Sequence, residues 1–224
     1  MAVAKAGPRL AAGETGQRRK SAEVRHTLVT AAIDALRDVG FAGASAREIA
    51  SRAGCSQALV FYHFGSVTDL LLAALDEVSS IRMEAYRSLL DQASSVAGLV
   101  DSARSIFLAD LDAGHVRVLV EMITAAQSVP GLGPQVAQRL APWREFAEIA
   151  VRRAIGRSPL RKLVPASEAA HAVVAGFLGL ELLATLDGDR SKALAVFDRA
   201  RSLARLLDVT GGLRLPSRRG DEQP

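Results

Sequence analysis

An all-α fold of about nine helices, in two modules, is predicted by three features of this 224-residue sequence. Ala, Leu, Arg and Glu dominate between the two tails, and apolar residues recur at three- and four-residue spacing. The breaks between such segments carry Gly or Pro, as at Gly114, Pro130 to Pro134, Gly156 to Pro159 and Asp187 to Asp189. The charge is uneven: residues 1–64 hold nine Lys and Arg against five Asp and Glu, whereas residues 65–224 hold nineteen of each. The whole net charge of +4 therefore belongs to the N-terminal third, which suits a polyanion, while the remainder is neutral.

The elements follow in order. Residues 1–20 lack a period and end in Arg18-Arg19-Lys20, so they are expected to form a disordered basic arm. A first helix is predicted over 22–39, with Leu28, Ala32, Ala35, Leu36 and Val39 on one face and Gly40 closing it. Ser45-Ala46-Arg47-Glu48 reads as a capping box opening a second helix, broken by Gly54-Cys55. Ser56 is placed to cap a short third helix over 57–64. Ser66 is placed to cap a long fourth over 67–92. Further helices are predicted over 100–113, 115–128, 136–155, 167–186 and 190–208, with a disordered tail over 211–224.

Two short helices joined by a tight turn over 45–64 have the layout of a helix-turn-helix. Its second helix would enter the major groove by its N-terminal end, where Ser56, Gln57 and Ala58 are short or polar. Gln57 can pair with adenine through two hydrogen bonds, and Ala58 can touch a thymine methyl. Lys20, Arg25, Arg47 and Arg52 would sit on phosphates around the rim. Tyr62 is expected to contact the DNA backbone, and His63 either to contact phosphate or to pack between helices. Phe61, Phe64 and Cys55 are expected to pack inward.

Residues 20–75 resemble the DNA-binding domain of the TetR/AcrR family of bacterial transcriptional regulators. The likeness rests on Gly40-Phe41, Ser45 to Ala50, Ala53-Gly54-Cys55-Ser56, Phe61-Tyr62-His63-Phe64, and Ser66 followed by Leu70-Leu71-Leu72. Two positions depart from it: Phe61 stands where the family usually has Tyr, and Val67 where it usually has Lys. Both changes shift phosphate binding onto Tyr62, His63 and the arm. The resemblance implies a helix-turn-helix DNA-binding domain over 21–66 and an effector-binding, dimerising domain over 67–210. It also implies a repressor of a near-palindromic operator, in which a bound effector tilts the fourth helix and changes the spacing of two DNA-reading heads. Ser45 and Ser56 join the DNA-contacting set by their place in the motif.

Within the second module, the helix over 167–186 is apolar nearly all round, so it must be covered on every face. Val174, Leu178 and Leu182, with Phe197 and Leu203 of the last helix, are expected to form a four-helix interface between two copies. Tyr86, Phe107, Met122, Trp143, Phe146 and Phe177 are candidate lining residues for an apolar or amphipathic effector, with His115, Glu121 and His171 as polar groups near it.

Other classes find little support in the residues. One cysteine excludes an internal disulfide framework, and a lone thiol fits a reducing cytoplasm. The longest apolar run, over 172–180, ends at Glu181 well short of the roughly 20 residues of a membrane span, so no membrane is expected and the chain should be soluble and cytoplasmic. His26, His63, His115 and His171 never fall at metal-ligand spacing, and there is no phosphate-binding Gly loop or nucleophile elbow, so no metal, cofactor or enzymatic activity is expected. The rival readings are a helical binding module with weakened DNA binding, and a small all-α enzyme.

Overall fold

The computed structural model describes the backbone of residues 9–156 and 164–211, and side chains over 17–156 and 164–209. The arm before Arg9 and the tail after Gly211 lie outside the described residues. Among those described, every element is a helix and there is no strand. The chain divides into two units, residues 1–77 and 78–224, and the division falls inside the fourth helix rather than at 66.

The first unit contains α1 (Arg9–Gly43), α2 (Ala46–Arg52), α3 (Gln57–Phe64) and the first turns of α4 (Val67–Gln92). The basic arm is not unstructured as far as residue 20: α1 begins at Arg9, over an Ala-containing stretch with no proline until far beyond its end. It bends at Gly40, whose φ of 71° lies outside the helical region, and adds one last turn to Gly43. Leu28, Ala32, Ala35 and Leu36 are fully buried side chains of this unit, as are Ile49, Val60 and Leu70, whereas Val39, next to the bend at Gly40, is exposed rather than on the buried face. Leu71, Ala74 and Leu75 are buried too, so the opening turns of α4 belong to the core of the head.

The caps that fix α2 to α4 are local. Ser45 Oγ accepts from the Glu48 amide at 3.2 Å, but Glu48 does not reach back to complete the box; its carboxylate takes Arg52 Nε at 2.7 Å instead. The turn after α2 closes through Ala53 N to Ile49 O (2.9 Å) and Cys55 N to Ala50 O (3.0 Å). Gly54 sits between them at φ 65°, with open space where a Cβ would be, so its conformation and not room requires glycine. Ser56 has the extended backbone of an N-cap but makes no side-chain capping bond. Ser66 does cap α4, accepting from the Asp69 amide at 3.0 Å.

The second unit contains the rest of α4 with α5 (Val96–Ala113), α6 (His115–Ala126), α7 (Leu132–Ile155), α8 (Ala166–Asp187) and α9 (Ser191–Gly211). Helix α5 lies along α9, and α7 along α8. Phe107, Ala184, Ala193 and Phe197 form a buried cluster with Phe177 and Leu180 against it. Helix α5 starts four residues earlier than its apolar pattern predicts because two caps meet its end. Ser95 Oγ accepts from Gly98 N at 3.0 Å, while Asp208 of α9 accepts from Val96 N at 2.8 Å and Ala97 N at 3.1 Å. Helix α8 is longer than its nine-residue apolar run, and by length and hydropathy it does qualify as a membrane-spanning segment, contrary to expectation. Its Glu181, however, is fully buried and accepts a hydrogen bond from Arg82 of α4 at 3.3 Å, which marks α8 as a packing helix of this unit.

Candidate functional site

Helix α3 is held by one fully buried side chain, Val60, and presents the opposite face outward. Ser56, Gln57 and Ala58 are exposed at its N-terminal end. Phe61 and Tyr62 continue that face, with 51% and 79% of their surfaces exposed. Phe61 is therefore not a core residue: it lies about 100° around the helix from Val60, and Ala58 and Tyr62 about 160° from it. His63 is half-buried, its ring edge-on to Tyr62 at 5.0 Å, and Phe64 is half-buried.

The basic rim is only partly as expected. Lys20, Arg25 and Arg47 are exposed, as is Ser45, whose hydroxyl is engaged in the α2 cap. The Arg25 guanidinium lies 4.8 Å from the centre of the Phe64 ring, which fixes α1 beside α3. Arg52 is not a free phosphate-seeking group. Asp38 at 2.5 Å and Glu48 at 2.7 Å hold it, so it ties α2 to α1. Cys55 is half-buried in the turn.

In the second unit, a cavity of about 150 Å³ is walled by α4, α5, α6, α7 and α8. Tyr86, Trp143, Phe146 and Phe177 line it, as the sequence predicts. The Tyr86 ring is edge-on to Trp143 at 5.1 Å and to Phe146 at 5.7 Å. Phe107 and Met122 do not line it. Both are fully buried, Phe107 in the cluster with Phe197, because their helical positions turn toward neighbouring helices rather than the void. Leu90, Leu99, Ile106, Leu119 and Leu140 also line the wall, and aliphatic periodicity alone could not have separated them from ordinary core.

The expected interface set is split. Val174 and Leu178 line the cavity. Phe197 is buried within its own unit and has no free face for a second copy. Leu182 and Leu203 are exposed, alongside Leu183, Leu186, Val196, Leu206 and Val209 of the same two helices.

One polar cluster escaped the sequence reading. Arg82 (α4), Asp110 (α5) and Glu181 (α8) are buried together. Arg82 is ion-paired with Asp110 and lies 3.3 Å from Glu181 Oε1; Tyr86 Oη donates to Asp110 at 2.8 Å. His115 Nδ1 is 3.5 Å from Asp110 Oδ1, which accounts for the one polar candidate that does approach the site. His171 is exposed and does not line the cavity. Glu121 is half-buried and is not among the lining residues. Burial pushes the Asp110 carboxyl up, but the His115 hydrogen bond and the charge and hydrogen bond of Arg82 outweigh it and bring it below its usual range. Glu181 goes the other way: burial, with the Asp110 charge beside it, pushes it up to about 8 despite Arg82. Burial likewise drives Tyr86 far above its usual value, so its hydroxyl keeps its proton and serves as a donor. No group of His, Cys, Asp and Glu among the described residues could hold a metal ion.

A short helix presented tip-outward after a tight turn, joined to a helical unit that holds an apolar cavity, defines the class: a helix-turn-helix architecture. Residues 28–74 match the family described as bacterial regulatory proteins, tetR family. An uncharacterized HTH-type transcriptional regulator of Mycobacterium tuberculosis is 34% identical over 113 residues, 50% of this chain and 56% of that protein. The chain thus spans about half the length of the curated relatives it matches. Among solved structures, a TetR-family member from Streptomyces coelicolor is 26% identical, with TM-score 0.60 over 80% of this chain and 98% of that one. The regulator FadR from Bacillus subtilis, solved with stearoyl-CoA, shares the fold at 12% identity, with TM-score 0.66 over 80% and 96% of the two chains.

Proposed function

We propose that the protein is a transcriptional regulator that binds a near-palindromic operator as a homodimer and releases or engages it when a small apolar effector occupies the second unit. The observation that carries this reading is the outward tip of α3. Gln57 and Ala58 are exposed to meet base edges, and Tyr62, Arg47, Lys20 and Arg25 of the same unit are exposed to meet the DNA backbone. His63 contributes from the helix end, and Ser45 and Ser56 lie at the two helix starts. The role is recognition in the cytoplasm rather than catalysis.

Dimerisation would use the exposed apolar faces of α8 and α9, including Leu182, Leu183, Leu186 and Leu203. Two heads set about 34–36 Å apart would read successive turns of one DNA face. Helix α4 supplies Leu70 and Leu71 to the head and Arg82, Tyr86 and Leu90 to the cavity, which makes it the natural carrier of the effector's signal. An effector shifts DNA affinity only as far as it binds one spacing of the heads better than another.

The test is a fluorescence anisotropy titration on the intergenic DNA upstream of the gene, with sedimentation to read the oligomeric state. A specific, salt-sensitive complex of a dimer is the expected result. Binding that does not discriminate that DNA from random duplex, or a monomer at micromolar concentration, would refute the proposal.

A further inference from the structure

The cavity has a polar end, and its chemistry constrains what can bind. Arg82 is 93% buried and is one of the residues lining the void. Its guanidinium lies beside two rings, 5.0 Å from the centre of Trp143 and 5.9 Å from that of Tyr86. One terminal nitrogen is committed to Asp110 and Glu181. Arg82 Nε, by contrast, is buried with no acceptor among the described residues. A buried N–H without a partner is costly, and a molecule that brings an acceptor recovers that cost.

Charge narrows the choice further. Asp110 is held ionised and Glu181 is held protonated, so the Arg82 cation is already balanced. A ligand carboxylate would leave a net buried anion, and the desolvation cost of such a charge is large. A ligand amine would meet the face of Arg82, a like charge. The remaining wall is apolar, apart from Ser102. Size points the same way: an apolar cavity of about 150 Å³ seats a group near benzene in bulk.

We infer that the second unit binds an uncharged, ring-sized apolar molecule carrying one hydrogen-bond acceptor, such as a carbonyl, which seats on Arg82 Nε while its ring packs among Tyr86, Trp143, Phe146 and Phe177. Contact needs a side-chain adjustment at the wall, within reach because Arg82 is itself part of that wall. This inference rests on the effector-cavity reading given above and specifies its chemistry.

Four molecules of matched shape test it: acetophenone, ethylbenzene, benzoate and benzylamine. Trp143 is the only tryptophan and lines the cavity, so its indole N–H resonance in the full-length protein reports both occupancy and place. At pH 7, acetophenone should bind about tenfold more tightly than ethylbenzene, and more tightly than either charged analogue. Arg82→Lys keeps the cation and removes Nε–H; it should bring acetophenone down to the level of ethylbenzene and leave ethylbenzene unchanged. Benzoate or benzylamine binding tightest, acetophenone no better than ethylbenzene, or a preference unaltered in Arg82→Lys would overturn the inference while leaving the cavity reading intact. If no probe moves the Trp143 resonance, the cavity reading itself falls and the inference with it. Should Arg82→Lys not fold, the rank order in the unmodified protein decides alone.

Discussion

Glu181→Gln should change the way stability depends on pH. Glu181 is wholly buried and carries a proton up to about pH 8, whereas in the unfolded chain it loses it near 4.5. Between those values the folded state binds more protons than the unfolded one, so rising pH destabilises the fold through this group. The slope approaches 1.4 kcal/mol per pH unit, and it vanishes below pH 4.5 and above 8. Glutamine has the shape of the protonated side chain and no titration. The variant should gain on the parent by about 2–3 kcal/mol between pH 5.5 and 7.5. Asp110 does not confuse the measurement, since its depressed value puts its own effect on the acid side of this window. Urea unfolding followed by Trp143 fluorescence reads the second unit directly, because the only tryptophan lies there. Parallel stability curves for the two proteins across this range would show that Glu181 is ionised in the fold, and the charge balance drawn around Arg82 would be wrong.

Other expectations are simpler. Gln57→Ala should cost about 1–3 kcal/mol on the cognate operator and relax base preference at one position of each half-site; an unchanged preference in anisotropy competition would remove Gln57 from the reading set. Gly54→Ala meets no clash, yet φ at 65° should destabilise the head by roughly 1–2 kcal/mol, and a thermal melt equal to the parent's would contradict that. Asp208→Ala should cost about 1 kcal/mol by uncapping α5, measured by urea unfolding, with no loss meaning that Ser95 suffices. Deleting residues 1–20 removes Arg18, Arg19 and Lys20 and should flatten the dependence of DNA affinity on salt; an equal slope would show that these groups make no phosphate contacts.

What could be read from the sequence was what local chemistry determines. The bounds of α3 and α4 are those that Ser56, Gly65 and Ser66 dictate, since caps and breaks act within a few residues. The start of α1 was missed because Gly13 and Gly16 lower the local helix propensity below what the structure tolerates. Arg52 read as a phosphate contact because its partner Asp38 lies 14 positions back on another helix. The Arg82–Asp110–Glu181 cluster was invisible for the same reason. Its members lie 28 and 99 residues from Arg82, and each alone resembles a solvated charge on an amphipathic helix. Phe107 and Met122 have the size and period of cavity residues, and only packing shows that the void lies elsewhere.

The Asp208 carboxylate reaching back to the amides of Val96 and Ala97 has a consequence for biosynthesis. The first unit can settle as soon as its own helices have been made. Helix α5 stays without its second cap until the ribosome has delivered position 208, more than a hundred residues later. A nascent chain therefore passes through a stage in which the first unit is complete while α5 still lacks its second cap, and translation that stops short of position 208 leaves it so.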